Sequence, residues 1–171
     1  MSPVVSQPEA RQLLLIELTQ WIYHEARLQD EHRYAEWEAL WTDDGVYWIP
    51  ANGEGGDPEQ EMSIVYDNRS RIALRIRQFG TGKRHSQLPQ SRLRRVISNI
   101  ELTDEVTDEA GDEVTVECNA LVFESHVRGD TLWATRASYR LRREGDVWRM
   151  ARKKVVLVNN QTALWSMAFL I

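Results

Sequence analysis

The sequence has only one cysteine, Cys118, and four histidines among its 171 residues. A lone thiol cannot form an intrachain disulfide, and it cannot supply the cysteines that an Fe–S cluster or a Cys-rich zinc site requires. The histidines lie at positions 24, 32, 85 and 126, so no two are three to five residues apart. An HExxH zinc helix and the compact two-histidine segment of a non-haem iron site are therefore missing. We expect no metal and no redox cofactor on this chain.

Phosphate-binding loops and membrane signals are missing as well. The chain has neither GxGxxG nor a Walker sequence, and the glycines at 53–56 lie in an acidic stretch that would repel phosphate. No apolar run approaches the ~20 residues that span a bilayer. No basic residue precedes Arg11, so we expect no secretory signal, and the single cysteine favours a cytoplasmic location. The net charge of −5 argues against nucleic acid as the main partner.

Helical periodicity dominates the first part of the chain. Residues 6–9 (SQPE) resemble a capping box, and apolar residues then recur with helical spacing, with Glu25 among them, up to about residue 29. Asp30 is expected to cap a second helix whose aromatic residues at 34–41 share one face. The Asp-Asp-Gly at 43–45 would end it. A short strand at 46–49, an exposed loop and a brief strand at 62–66 should follow. Asp67 is the expected cap of a third helix that ends near Gly80.

The rest of the chain predicts β-structure. Four long segments rich in β-branched and aromatic residues cover 92–102, 113–127, 131–143 and 147–159. Tight turns with glycine separate the last three, which indicates antiparallel hairpins. Helices followed by a meander of long strands predict a single α+β domain over residues 1–171. In it the helices cover the concave face of a curled antiparallel sheet and form a cone. The seven tryptophans are expected mainly in the core.

Three residues could form an acid–base site inside such a cone: Asp44, Tyr47 and His85. A buried carboxylate can abstract a proton next to a carbonyl when a Tyr or His donor assists it. Each residue also has a plainer interpretation, since Asp44 lies in a helix-ending turn and His85 in a polar loop. Cys118 alternates with aliphatic residues, so we expect an inert core thiol.

The charges are segregated along the chain. Residues 69–95 hold nine basic and no acidic residues, whereas 101–117 hold eight acidic and no basic ones. Pairing between neighbouring strands would explain this pattern, and so would a charged surface that docks a partner protein. Both explanations remain open at this point. The docking candidates are His85, Arg92, Arg94 and Arg95, because arginine makes bidentate contacts with carboxylates.

Three ordered blocks of the sequence resemble a known family. The run DEHRYAEWEALWTDDGVYWIP at 30–50 looks like the N-terminal signature of the small (beta) subunit of bacterial aromatic-ring-hydroxylating dioxygenases. The runs SIVYDNR at 63–69 and HSQLPQSRLRRVISN at 85–99 resemble the second and third signatures of that family. The resemblance covers the first hundred residues, and the β meander and apolar C-terminus also fit it.

This resemblance implies an NTF2-like (cystatin-like) cone and a structural rather than catalytic role. It implies a partner alpha subunit that carries a Rieske 2Fe-2S cluster and a mononuclear Fe(II), and beta subunits that form a homotrimer. The assembly would catalyse NAD(P)H- and O2-dependent dihydroxylation of an aromatic ring, with no catalytic residue on this chain. The docking candidates would then meet the alpha subunit. The alternative is a stand-alone isomerase, dehydratase or cyclase of the same fold that uses Asp44, Tyr47 or His85.

Overall fold

The computed structural model describes residues 7–81, 89–108, 111–164 and 166–171. Helices and a long curled sheet follow each other in the order that the sequence predicts. The elements are α1 (Gln7–Asp30), α2 (Tyr34–Glu38), β1 (Trp41–Pro50), β2 (Ser63–Asn68), α3 (Arg69–Gly80), β3 (Arg92–Asp108), β4 (Gly111–His126), β5 (Gly129–Glu144) and β6 (Val147–Leu157). The predicted capping residue Ser6 lies outside the described residues.

All six strands form one sheet in the order β2-β1-β6-β5-β4-β3. The pairs β4–β5 and β5–β6 are antiparallel, as the tight turns predict; β3–β4 is antiparallel too, and β1 pairs with β6 in parallel. Side chains alternate between the two faces: the odd-numbered residues 133–141 of β5 are buried and their neighbours face outward. The predicted α+β cone is confirmed, with its helices on the concave face.

Helix α1 closes the cone because it presents a largely apolar face to the sheet. Leu18, Ile22 and Leu28 are fully buried there, at helical spacing. Most of the tryptophans are also in the core, as expected. Of the six that the structure describes, those at 37, 41, 48, 133 and 148 are buried and Trp21 is half-buried, while Trp165 lies outside the described residues.

The second helix is shorter than the sequence predicts. It ends at Glu38, and β1 begins at Trp41, so the Asp-Asp-Gly at 43–45 lies inside a strand instead of ending a helix. One tertiary hydrogen bond and one close approach within β1 accompany the difference. The Leu40 carbonyl accepts a hydrogen bond from the Met150 N–H of β6 (2.7 Å), and a Cβ at Gly45 would lie 2.7 Å from the Trp41 ring. The register of β1 against β6 shifts at this point.

Two further boundaries differ from the sequence-based expectation. The cap of α3 is Asn68, whose side chain accepts from the Arg71 N–H (3.1 Å); the predicted cap, Asp67, is buried and binds Arg75 (2.6 Å). Strand β3 continues to Asp108 because a bulge near Asn99, which has φ +52°, lets it follow β4 through the acidic segment.

Candidate functional site

A buried ion pair occupies the centre of the cone. Lys153 on β6 and Glu25 on α1 are 2% and 1% exposed, and their Nζ and Oε1 atoms are 2.8 Å apart. Lys153 Nζ also donates to Gln29 Oε1 at 3.2 Å. Neither residue is among the acid–base candidates that the sequence suggests. The signals that could have found the pair are Glu25 on the apolar face of α1 and Lys153 at an inward position of β6.

Aromatic residues complete the surroundings of this pair. Trp37 Nε1 donates to Glu25 Oε1 (2.6 Å), and the Tyr139 hydroxyl donates to Glu25 Oε2 (3.3 Å). Lys153 Nζ lies 5.9 Å and 5.3 Å from the ring centres of Trp37 and Tyr139, within the range of cation–π attraction. Burial lowers the pKa of Lys153 and raises the pKa of Tyr139. The carboxylate is thus bound by one ammonium and two neutral donors.

Very little space is left beside the pair. The cavity lined by Glu25, Gln29, Lys153 and their neighbours has about 10 Å³ for a guest, which is about the room that one water needs. Gln29 Nε2 is buried there and has no hydrogen-bond partner among the described residues. A ring-sized substrate needs hundreds of Å³, so the centre of this cone, around the ion pair, is filled rather than open for catalysis.

The last residues of the sequence close the mouth of the cone. Phe169, Leu170 and Ile171 are all buried. The Tyr47 hydroxyl donates to the Ile171 carbonyl oxygen (2.5 Å) and accepts from the Ile171 N–H (3.2 Å). Arg95 donates to the Leu170 carbonyl oxygen. Main-chain hydrogen bonds therefore fix this segment where a substrate would enter.

The structure does not bring the predicted acid–base residues together. Asp44 is exposed and paired with Arg142 (3.0 Å), and hydrogen bonding to Thr42 and Arg142 lowers its pKa. Tyr47 is buried, fully engaged with the closing segment, and burial raises its pKa. His85 lies outside the described residues. An exposed carboxylate with a lowered pKa and a buried phenol with a raised one do not form an acid–base pair.

The predicted docking residues lie in different environments: Arg95 is buried, whereas Arg92 and Arg94 are exposed. The Arg95 side chain is only 3% exposed and binds the Asp30 carboxylate inside the chain, so its predicted place on a docking surface is corrected to an internal one. Its Nη atoms link α1 to the closing segment. Arg92 and Arg94 alternate with buried Leu93 and are exposed on β3.

Several carboxylates of the acidic segment at 101–117 pair with arginines on strand β5. Arg136 binds Glu101 (2.8 Å) and Glu117 (2.7 Å), and Arg142 binds Glu113 (3.2 Å). Cross-strand pairing with β5 thus accounts for three of the acidic residues at 101–117. These pairs are partly exposed, and each contributes about 1 kcal/mol or less.

Cys118 is a buried core thiol, and the described residues contain no metal-binding cluster. The Cys118 thiol is buried, and burial raises its pKa to about 12. Among the described residues, no three His, Cys, Asp or Glu side chains are grouped so that they could hold a metal ion. Within the same part of the chain, no helix has the length and apolar character to cross a membrane.

A comparison with known families decides between the two interpretations of this cone. The family model for the ring hydroxylating beta subunit matches residues 24–163. The chain belongs to this family. Among relatives of this beta subunit is the small oxygenase component of the p-cumate 2,3-dioxygenase system of Pseudomonas putida. The two are 26% identical over 143 residues, which cover 82% of this chain and 77% of the relative.

Solved structures share the fold of the beta subunit. The beta subunit of the benzoate 1,2-dioxygenase from Burkholderia mallei superposes with a TM-score of 0.71 at 21% identity, covering 98% of this chain and 99% of that one. A scytalone dehydratase-like protein from Novosphingobium aromaticivorans has a TM-score of 0.64 at 14% identity, with 89% of each chain covered. These likenesses establish the NTF2-like fold alone. Because one fold can serve both enzymes and structural subunits, the function has to be argued from the residues inside the cone.

Proposed function

We propose that this chain, as one domain, is the structural small subunit of the oxygenase component of an aromatic-ring-hydroxylating dioxygenase. The observation that carries the proposal is the filled centre of the cone, which the Glu25–Lys153 pair occupies, with residues 169–171 buried above it. Family membership supports the same role. The chain stabilises an assembly whose chemistry takes place elsewhere.

The catalytic centres of this assembly belong to its large (alpha) subunit. That subunit carries the Rieske 2Fe-2S cluster and the mononuclear Fe(II), and the assembly uses NAD(P)H and O2 to dihydroxylate an aromatic ring. We expect this chain to supply no ligand to either centre, because its one thiol is buried. The p-cumate system and the benzoate enzyme name the compounds to screen first.

The small subunit acts in the cytoplasm as a homotrimer that binds the alpha subunit. His85, Arg92 and Arg94 remain the charged residues for contacts with neighbouring subunits. Arg92 and Arg94 are exposed on β3, and neither forms an ion pair with an acidic side chain in the part of the chain that the structure describes.

Co-expression tests the proposal. The untagged chain is produced with a tagged alpha subunit of a ring-hydroxylating dioxygenase from the same organism, and the complex is captured through the tag. We expect the two chains to co-purify, and ring dihydroxylation of p-cumate or benzoate to need both chains and a reductase. Turnover by the isolated small subunit, or an alpha subunit that is equally active and stable without it, would overturn the proposal.

The Tyr47→Phe and Asp44→Asn variants separate this function from a stand-alone enzyme. Both should leave the activity of the assembled oxygenase within about twofold of the wild-type value, because the Tyr47 hydroxyl is bound to the main chain of Ile171 and the Asp44 carboxylate to Arg142. An activity of the isolated chain that either variant abolishes, at unchanged fold, would establish the enzyme instead.

A further inference from the structure

A cavity of about 280 Å³, here called the α3 cavity, lies between helix α3, strands β1 and β2, and the C-terminal residues. Beneath it, Tyr47 on β1 is paired with Asp67 on β2, and Ile49 with Val65. These four residues are buried, and three of them line the cavity: Tyr47, Ile49 and Val65. None of its described lining residues borders the much smaller cavity beside the buried ion pair, so the two spaces are separate.

The walls of the α3 cavity are mostly apolar. Phe79 on α3 forms one side, and the C-terminal residues contribute four apolar side chains: Leu164, Met167, Phe169 and Leu170. An apolar cavity of about 150 Å³ is enough to hold benzene. A volume of about 280 Å³ therefore has room for one aromatic ring and its substituents.

Arg75 on α3 carries the only charge among the described residues that line the α3 cavity. It lies four residues before Phe79, on the same face of the helix. Its Nε donates to Asp67 Oδ2 (2.6 Å), and the Asp67 side chain is 9% exposed, so a buried carboxylate holds the guanidinium in place. Within the described part of the chain, the two Nη atoms of Arg75 have no hydrogen-bond partner, so their N–H groups are free to bind a ligand.

This combination selects a ligand that is both apolar and anionic. A carboxylate accepts two parallel N–H bonds from a guanidinium, and such charge-assisted hydrogen bonds are strong. A neutral hydrocarbon would leave Arg75 without that partner, whereas an inorganic anion would leave the apolar walls uncovered. The Tyr47 hydroxyl does not bind the ligand, because it already donates to and accepts from the main chain of Ile171.

We propose that the α3 cavity binds an aromatic carboxylate, with the ring against the apolar walls and the carboxylate on the Nη atoms of Arg75. The guanidinium stays protonated and the Tyr47 hydroxyl is occupied, so the ligand is held and not converted. A ligand that binds only the folded chain stabilises it. The inference rests on the proposed function and deepens it, since p-cumate and benzoate, the compounds to screen as substrates of the assembly, belong to this class.

Calorimetric titration of the full chain with p-cumate tests this site. We expect one site per chain with a dissociation constant on the order of 0.1–1 mM, because a single ring buries little surface and Asp67 already offsets part of the Arg75 charge. The primary amide of p-cumate has a similar shape without the charge, so it should bind about tenfold more weakly. Equal binding of the amide, or no binding at about 10 mM p-cumate, would overturn the inference.

Two arginine-to-methionine changes on α3 test whether Arg75 holds the carboxylate. Arg75→Met should weaken p-cumate binding about tenfold, because it removes the guanidinium that lines the cavity. Arg77→Met is the matched control: Arg77 is exposed on the same helix and is not among the described lining residues, so the wild-type affinity should be kept. Equal affinities of the two variants would contradict the site.

Two more variants keep the test independent of folding. Because Arg75→Met leaves the buried Asp67 carboxylate unpaired, the double variant Asp67→Asn with Arg75→Met removes that charge and should lose binding to the same extent. Met167→Trp keeps the Asp67–Arg75 pair and fills the cavity, since Met167 is a half-buried residue of its wall. If this variant folds and binds p-cumate as tightly as the wild type, the carboxylate binds outside the cavity and the inference fails.

Capture by the tagged alpha subunit separates the two proposals. If the chain is captured and supports ring dihydroxylation but does not bind p-cumate by itself, the inference fails and the proposed function stands. If the chain binds p-cumate through Arg75 but is never captured, the site stands and the proposed function fails.

Discussion

Replacing Lys153 by methionine removes one partner of the buried ion pair while keeping a flexible side chain of similar length. Glu25 would then be left in the core with only the Trp37 and Tyr139 donors. Both partners of the 2.8 Å contact are almost completely buried, so solvent cannot take the place of the ammonium. Breaking one side of a buried pair costs about 3–5 kcal/mol of unfolding free energy. For a chain of this size, that lowers the melting temperature by roughly 6–20 °C.

The double variant Glu25→Gln with Lys153→Met decides whether the cost comes from the unpaired charge. It leaves no uncompensated ion, so we expect it to be more stable than the sum of the two single changes predicts, by about 0.5–3 kcal/mol. Urea unfolding of the four proteins, followed by circular dichroism, measures this coupling. Arg140→Met is the control, because its pair with Glu113 is partly exposed and should contribute about 1 kcal/mol or less.

The reasoning would be refuted if Lys153→Met lost less than about 1 kcal/mol, the range expected of the surface control. It would also be refuted if the two changes in the core added without coupling. Either result would mean that water reaches the centre of the cone, and that the cavity beside Gln29 is larger in solution than the space for one water.

Three further predictions concern residues from the sequence analysis. Tyr47→Phe should lower the unfolding free energy by about 1–3 kcal/mol, because it leaves the buried main-chain N–H and carbonyl groups of Ile171 without a hydrogen-bond partner. The activity of the assembled oxygenase should stay unchanged; lost activity at unchanged stability would make Tyr47 catalytic. Asp44→Asn should change stability in urea by about 1 kcal/mol or less, since its partner Arg142 is bound at the surface; a larger loss would contradict this assignment. The folded Cys118 thiol keeps its proton up to a pKa of about 12, whereas the unfolded thiol loses it near pH 9. Because the unfolded state then binds fewer protons, the unfolding free energy should fall between pH 8 and 10.5 by up to ~1.4 kcal/mol per pH unit. Urea melts of Cys118→Ala should show a flatter fall, and a slope equal to that of the wild type would contradict this prediction.

Much of the fold could be predicted because its signals are local. The helical repeat of α1, the glycine turns of the last two hairpins and the alternation along β4 each lie within a few residues. The boundary between α2 and β1 could not. The aromatic run at 34–41 fits a helix face, but Trp41 pairs with Met150 on β6, which is more than a hundred residues away in sequence.

The candidate site shows the same division. Sequence patterns singled out Asp44 and Tyr47 by residue type, but the tertiary structure put one at the surface and the other under the closing segment. Arg95 looked like its neighbours on β3. Only the inward side of the strand, and Asp30 at the end of α1, made it an internal residue.

The sequence by itself determined the order of the elements, the absence of clustered cysteine and histidine ligands, and the resemblance that the family comparison confirmed. These properties depend on residue type and on short spacings, which any stretch of chain displays before it folds. The tertiary structure alone decided that the centre of the cone is filled. Glu25 and Lys153 are 128 positions apart, and Tyr47 and Ile171 are 124 apart. Contacts over such separations depend on strand register, on bulges and on the curl of the sheet, which no local pattern encodes.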